Sequence, residues 1–185
     1  MYDLWITRRE AAALSGTSET TVKKAIDLGI IPARPAGGQS RIDAADVPVL
    51  TMLGHLNGIG LGAAHKRRLR RWLREAEPAP ELALVPGLIV RRLDDVEQAR
   101  DRAERYVHLR AQWIVSDPEI KGGEPVIRGS RVSVHTLAAR IADGDSDAVL
   151  DEDFPHIPAE AREVAALYAR ANPRRGRPPR ARVAA

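Results

Sequence analysis

The chain has no cysteine, one phenylalanine, two methionines, three tryptophans and three tyrosines in 185 residues. Without cysteine there is no disulfide framework, no thiol nucleophile and no Cys-ligated zinc. No stretch of about 18 consecutive apolar residues occurs, which excludes a helical membrane span. The opening MYDLWITRRE lacks the basic-then-apolar order of a secretory signal, so a cytoplasmic location is expected. Aromatics make up only 4%, beside abundant Ala, Arg and Leu. That balance predicts a mainly α protein with thin cores, in one large or two small domains. Small, thin-cored domains lean on partner subunits, and a homodimer is expected.

What the chain does have is positive charge in blocks. Lys and Arg number 29 against 25 Asp and Glu, a net +4. Six cations and no acid fall within 66–74 (Lys66, Arg67, Arg68, Arg70, Arg71, Arg74), and five more within 174–182 (Arg174, Arg175, Arg177, Arg180, Arg182). The remainder of the chain is net acidic. Concentrated basic charge points to a polyanionic partner or to a solvated face.

Enzymatic readings fail on inventory, and no cofactor is implied. The five histidines, His55, His65, His108, His135 and His156, form no His-x-x-x-His pair, so no metal ligand set is expected. Asp151, Glu152 and Asp153 are successive helical positions that point in different directions, which suits capping or solvation better than a shared clamp. Gly58, Gly60 and Gly62 alternate without a following Gly-Lys-Ser/Thr, which favours a turn between helices over a phosphate loop. No catalytic residue is assigned.

Residues 1–57 read as one unit. Thr7 and Glu10 have capping-box spacing and open a helix that ends at Ser15-Gly16. Ser18 caps a second helix, Glu19 to Leu28, with Val22, Ala25 and Ile26 inward. Gly29 suits its end, Gly37-Gly38 suits a hairpin flanked by Arg34 and Arg41, and Asp43 or Asp46 opens a third helix. Residues 58–112 form a connecting region. It holds a helix over 62–76 with Leu69, Trp72 and Leu73 apolar, short strands at 82–85 and 88–90, and a charged helix over 93–112. Leu93, Val96, Ala103, Tyr106 and Val107 form the stripe of that last helix. Residues 113–172 read as a second domain: a strand at Trp113-Ile114-Val115, an extended segment turning at Gly129, and three helices (134–142, 146–153 and 158–171). Residues 173–185 are a basic Arg/Pro tail.

Two resemblances follow from these residues. The run Ile6-Thr7…Ala11-Ala12…Leu14-Ser15-Gly16-Thr17-Ser18…Thr21-Val22…Leu28-Gly29-Ile30-Ile31-Pro32…Gly37-Gly38…Arg41-Ile42…Asp46-Val47 resembles the MerR-type and excisionase-type winged helix-turn-helix. Carried over by position, Ser18, Thr20, Thr21, Lys23 and Lys24 would face operator DNA, with Arg34, Gln39, Ser40 and Arg41 on the wing. The run Asp117-Pro118…Gly122-Gly123-Glu124-Pro125-Val126-Ile127-Arg128-Gly129-Ser130-Arg131-Val132-Ser133-Val134, with Gly144, Asp153-Phe154-Pro155-His156-Ile157-Pro158 and Ala165-Ala166-Leu167-Tyr168-Ala169, is similar to a prokaryotic family once catalogued as a domain of unknown function and now grouped with VapB-type antitoxins. Ser130 and Ser133 depart from its usual Thr and Pro.

The implied fold is an N-terminal winged helix-turn-helix plus a C-terminal three-helix, helix-turn-helix-like domain with short β segments. The implied function is the antitoxin of a type II toxin–antitoxin system. It would repress its own operon by binding double-stranded DNA, and would neutralise a PIN-like ribonuclease toxin. A stand-alone MerR- or excisionase-like transcriptional regulator is the alternative. Glu160 and Glu163 beside Arg162 and Arg170 argue that helix 158–171 packs or dimerises rather than reads DNA. In the tail, Arg175-Gly176-Arg177-Pro178 matches the core of an AT-hook, whose arginines enter a narrow minor groove. Arg174, Arg175 and Arg177 would then contact DNA, or pair with acids of the toxin, or remain solvated.

Overall fold

The structure, a computed structural model, describes residues 4–76 and 79–174. It is mainly α, and it contains no helix long and apolar enough to cross a membrane among those residues. A short strand, β1 (Trp5–Thr7), leads into α1 (Arg8–Ser15). The capping box forms: Thr7 Oγ1 accepts the Glu10 N–H at 3.2 Å, and Glu10 Oε2 accepts the Thr7 N–H at 2.7 Å. Gly16, at φ +69, ends the helix in the left-handed region. Two residues on, Ser18 Oγ accepts the Thr21 N–H at 3.1 Å and starts α2 (Glu19–Asp27).

After α2, strands β2 (Ala33–Ala36) and β3 (Gln39–Asp43) form an antiparallel hairpin. Its turn, Gly37 at φ +58 and Gly38 at φ +73, has both central residues in the left-handed region. Such a turn matches the strand twist and strongly favours glycine. β1 pairs with the other edge of β3, Thr7 opposite Arg41, giving the order β1-β3-β2.

A 3-10 turn (Ala44–Asp46) then enters α3 (Val47–His55). Of the two candidate openers, Asp43 caps the 3-10 turn by accepting the Ala45 N–H at 3.0 Å, while the Asp46 side chain makes no cap. Pro48 occupies the first turn of α3, where its missing N–H costs nothing. Every residue from Val47 to Leu53 is buried, so α3 is an interior helix.

α4 (Ala63–Leu73) buries Leu69, Trp72 and Leu73, and the hairpin of β4 (Glu81–Val85) and β5 (Leu88–Arg91) packs beside it. α5 (Asp94–Trp113) buries Val96, Ala99, Ala103, Tyr106, Val107 and Leu109. Leu93 departs from the predicted stripe. It stands at the helix N-cap and is 42% exposed, because the helix begins one residue later than the stripe implies. Trp113 likewise closes α5 instead of opening the next strand.

The C-terminal part contains β6 (Ile114–Val115), antiparallel to β7 (Val126–Ile127), then α6 (Val134–Ala142), α7 (Asp147–Asp153) and α8 (Ala159–Ala171). The three helices fall where the sequence pattern places them, with Ser146 capping α7 through the Val149 N–H.

Two buried clusters organise the molecule. The larger runs from Ile6 through α3, α4 and the β4–β5 hairpin to Leu109, so the predicted N-terminal unit and connecting region share one core. The smaller joins Ile127, Val134, Leu137, Leu150, Ile157, Ala161 and Ala165. α8 serves both: Val164 belongs to the larger cluster, while Ala161 and Ala165 belong to the smaller. The helix packs against α6 and also against α5 and α1.

Candidate functional site

α2 carries one buried face, Val22 and Ala25, and an outward one with Thr20, Lys23 and Lys24 exposed. Lys23 Nζ pairs with Asp27 Oδ2 at 2.5 Å across one helical turn, a surface pair that a phosphate could displace at little cost. Ser18 and Thr21 sit at the helix start, where the Ser18 hydroxyl is already engaged as the cap and contacts Thr21 Oγ1 at 2.9 Å. On the hairpin, Arg34 is exposed and its guanidinium lies 4.1 Å from the Trp5 ring centroid. Gln39 is exposed, and Ser40 and Arg41 are half-buried.

The structure separates the hairpin residues by face. Ile42 and its partner Ile6 point into the core. By the two-residue period of a strand, Gln39 and Arg41 lie on the opposite face, which meets the end of α5 and α8. There a polar cleft of about 390 Å³ is lined by Thr7, Glu10, Gln39, Arg41, Arg110 and Tyr168, with Asn172 at its edge.

A buried polar network forms the floor of this cleft. Glu10 Oε1 accepts hydrogen bonds from the Tyr106 hydroxyl at 2.6 Å and from Arg110 Nη1 at 2.8 Å. Arg110 Nη2 also donates to the Trp5 carbonyl at 2.9 Å. Burial alone would raise the Glu10 carboxyl. Arg110's charge, the Thr7 N–H and the Tyr106 hydroxyl outweigh it, and the group titrates below its ordinary value. Burial pushes the Tyr106 hydroxyl well up. The sequence marks Glu10 only as a helix cap. The signal for its further role is Tyr106 and Arg110, one turn apart on the otherwise apolar face of α5.

The basic block on α4 is largely structural. Arg70 forks onto the buried Asp46 carboxylate, Nε to Oδ1 at 2.8 Å and Nη2 to Oδ2 at 3.1 Å. Arg74 pairs with Asp43 at 3.1 Å, and Arg67 and Arg68 donate to the carbonyls of Leu28 and Leu84. Four of the six cations therefore hold α4 to its neighbours, a role that neither a polyanion site nor a solvated face describes. Lys66 and Arg71 make no ion pair with a described residue.

In the C-terminal part the motif residues also carry structure. Arg128 closes α5: its Nε and Nη2 donate to the carbonyls of Gln112 and Ala111 at 2.8 and 3.1 Å, and its backbone N–H to that of Trp113 at 2.7 Å. Gly129 turns the chain at φ +75. The buried Ser133 hydroxyl donates to Glu124 Oε1 at 2.6 Å, and Arg174 Nη2 reaches the same oxygen at 2.5 Å. Hydrogen bonds from Ser133 and Arg174 hold the Glu124 carboxyl below its usual value. Arg174 thereby anchors the start of the tail beside α6; Arg175 and Arg177 lie outside the described residues.

The three carboxylates of the run are exposed, as the expected solvated positions should be, and Asp151 and Asp153 form ion pairs as well. Asp151 pairs with the buried Arg162, and Asp153 with Arg140 at 2.6 Å. Glu163 accepts a forked pair from Arg105 of α5, and Glu160 lies 3.8 Å from the same guanidinium. Glu160, Arg162 and Glu163 of α8 are thus engaged within the molecule, while Arg170 is exposed. Among the described residues no cluster of His, Asp or Glu could hold a metal ion.

Comparison with known proteins bears on this last part. Residues 114–169 match the family described as "Protein of unknown function (DUF433)". The DUF433 segment runs from β6 into α8, and so includes Arg128, Ser133 and Glu124 but not the hairpin or α2. The chain is 42% identical over 86 residues to the "Uncharacterized protein y4eO" of Sinorhizobium fredii (strain NBRC 101917 / NGR234), a stretch covering 46% of this chain. That match spans about a third, 34%, of the relative's length. Among solved structures, the X-ray crystal structure of Rv2018 from Mycobacterium tuberculosis is similar at 19% identity, covering 86% of this chain and 95% of that one. Its TM-score of 0.34 is too low to assign a fold.

Proposed function

We propose that this chain is a DNA-binding regulator that uses residues 1–57 as a winged helix-turn-helix, with α2 in the major groove and the β2–β3 hairpin as the wing. The observation that carries the reading is the surface of α2. Its exposed face presents Thr20, Lys23 and Lys24 beside the capped start at Ser18, while Val22 and Ala25 anchor the opposite face. A rigidly anchored helix with short polar groups and two cations outward has the chemistry of groove recognition, in which cations position the helix on phosphates and polar groups read bases. Arg34 on the hairpin adds a cation next to it in the chain. The test is the salt dependence of binding to the DNA upstream of its own gene. Replacing Lys23 and Lys24 together with Ala should lower the log–log slope by roughly two, one for each phosphate left without its lysine. An unchanged slope removes α2 from the interface.

The reading extends to an antitoxin of a type II pair, which represses its operon and neutralises a PIN-like ribonuclease. Support for this part is the resemblance of residues 113–172, with Arg174 holding the start of the basic tail against Glu124. Co-expression with the product of the adjacent gene tests it. A stable complex that relieves that product's toxicity is expected; an adjacent product that neither binds nor is toxic alone leaves the stand-alone regulator.

A further inference from the structure

A second cleft, of about 370 Å³, lies between the end of α2, the turn that follows α3 and the start of α4. Its lining includes the buried apolar side chains of Ile30, Leu53 and Leu56. Leu28 and Ile59 also line it, yet they are 42% and 44% exposed, large apolar groups that the fold leaves in water. The walls are fixed by hydrogen bonds. The Ile30 N–H donates to the Ala25 carbonyl at 2.9 Å, the Ile59 N–H to that of Leu56 at 3.1 Å, and Arg67 Nη1 ties α4 to the Leu28 carbonyl at 3.2 Å. The charged groups of the lining are Lys24 and Lys66, and no described carboxylate joins them. Lys66 is half-buried, Lys24 is exposed, and neither side chain has an ion pair or hydrogen bond with a described residue. Lys23 differs, since Asp27 answers its charge.

We infer that this cleft binds a small amphipathic anion, an apolar body with one carboxylate or phosphate head, the body against Ile30, Leu53 and Leu56 and the head at Lys66. A cleft of this size with apolar walls and a few polar groups at its edge is the usual form of a small-molecule site. An ammonium is a compact point charge that takes either head group, and an anion beside it offsets the cost of keeping Lys66 half-buried without a partner. The inference does not rest on DNA binding. Lys24 also belongs to the face of α2 proposed for DNA, so a bound anion and a DNA phosphate would compete for it, each weakening the other.

The experiment uses the full chain, with sodium octanoate and monooctyl phosphate as separate anionic probes and octanol as the uncharged one, all at fixed ionic strength. Isothermal calorimetry and thermal unfolding are the readouts. A saturable isotherm and a rise in Tm with at least one anion are expected, since a ligand that binds only the folded state raises its stability. Octanoate alone identifies a carboxylate site, octyl phosphate alone a phosphate site, and both a site that reads charge without head-group geometry. Octanol should bind about tenfold more weakly or less, the scale of a hydrogen bond to a charged group. The hexyl counterpart of the anion that binds should lose about fourfold for each methylene removed. Lys66→Gln should weaken anion binding about tenfold. Ile59→Glu, at an exposed turn position that leaves the fold intact, puts a like charge beside the head group and should weaken it comparably. No saturable binding of either anion, octanol binding as tightly as the anion, or binding that Lys66→Gln or Ile59→Glu leaves unchanged overturns the inference.

Discussion

Glu10 and Asp46 are both buried carboxylates that face an arginine, yet they titrate in opposite directions. Glu10 receives three hydrogen bonds, from Thr7 N–H, Tyr106 and Arg110. Asp46 depends on Arg70 for its charge complement, and burial leaves its carboxyl above the ordinary value. Glu10→Gln should therefore cost about 2–3 kcal/mol in urea unfolding at neutral pH, since it leaves the mostly buried Arg110 without its carboxylate. The sign of its pH dependence follows from a depressed folded pKa. The stabilisation is present above the ordinary value of 4.5 and is lost as pH falls through the folded value, so Glu10→Gln should flatten the acid limb of the stability curve. Asp46→Asn should cost under about 1 kcal/mol, because asparagine keeps an acceptor for Arg70, which is itself part-exposed. Here the sign reverses: a raised folded pKa means stability that is full below 3.8 and lost as pH rises through the folded value. The Asn variant should lack that loss, and urea midpoints across this range would show it.

Helix termini set the next scale. Arg128 takes the last carbonyls of α5, so Arg128→Ala should destabilise the fold by about 1–2 kcal/mol, read as a lower urea midpoint at unchanged m-value. Ser18 does at the start of α2 what Arg128 does at the end of α5. Ser18→Ala should cost about 1 kcal/mol through the missing cap. As the hydroxyl carries no charge, the salt slope of DNA binding should stay as in the parent chain; a changed slope would mean that α2 itself is displaced. These devices are short-range, and the sequence shows them for that reason. Thr7 and Glu10 are three residues apart, Ser18 and Thr21 likewise, and the Gly37-Gly38 turn is two residues long. The start of α5 is less legible, because Leu93 continues the apolar stripe while the backbone places it outside the helix.

For the molecule as a whole, α8 is the element that joins the parts. With Val164 in one cluster, Ala161 and Ala165 in the other, and Glu163 paired to Arg105 of α5, neither cluster can open without disturbing it. Thermal unfolding should then be a single cooperative transition, with tryptophan fluorescence and far-UV circular dichroism coincident. Two separated transitions would show that the DUF433 segment folds independently of the rest.

The sequence by itself determined where helices and the glycine hairpin turn fall, which faces are apolar, and that positive charge is gathered into two blocks. All of these depend on residues within a few positions of one another, where period, capping and turn chemistry operate. Only the tertiary structure decided what the charges do. Arg70 meets Asp46 from 24 residues away, Arg105 meets Glu163 from 58, and Arg110 meets Glu10 from 100. No local pattern encodes such partners, because the chain must first pack α4, α5 and α8 before a guanidinium and a carboxylate share a desolvated site. The same packing turned Arg41 from a hairpin cation into one wall of a cleft.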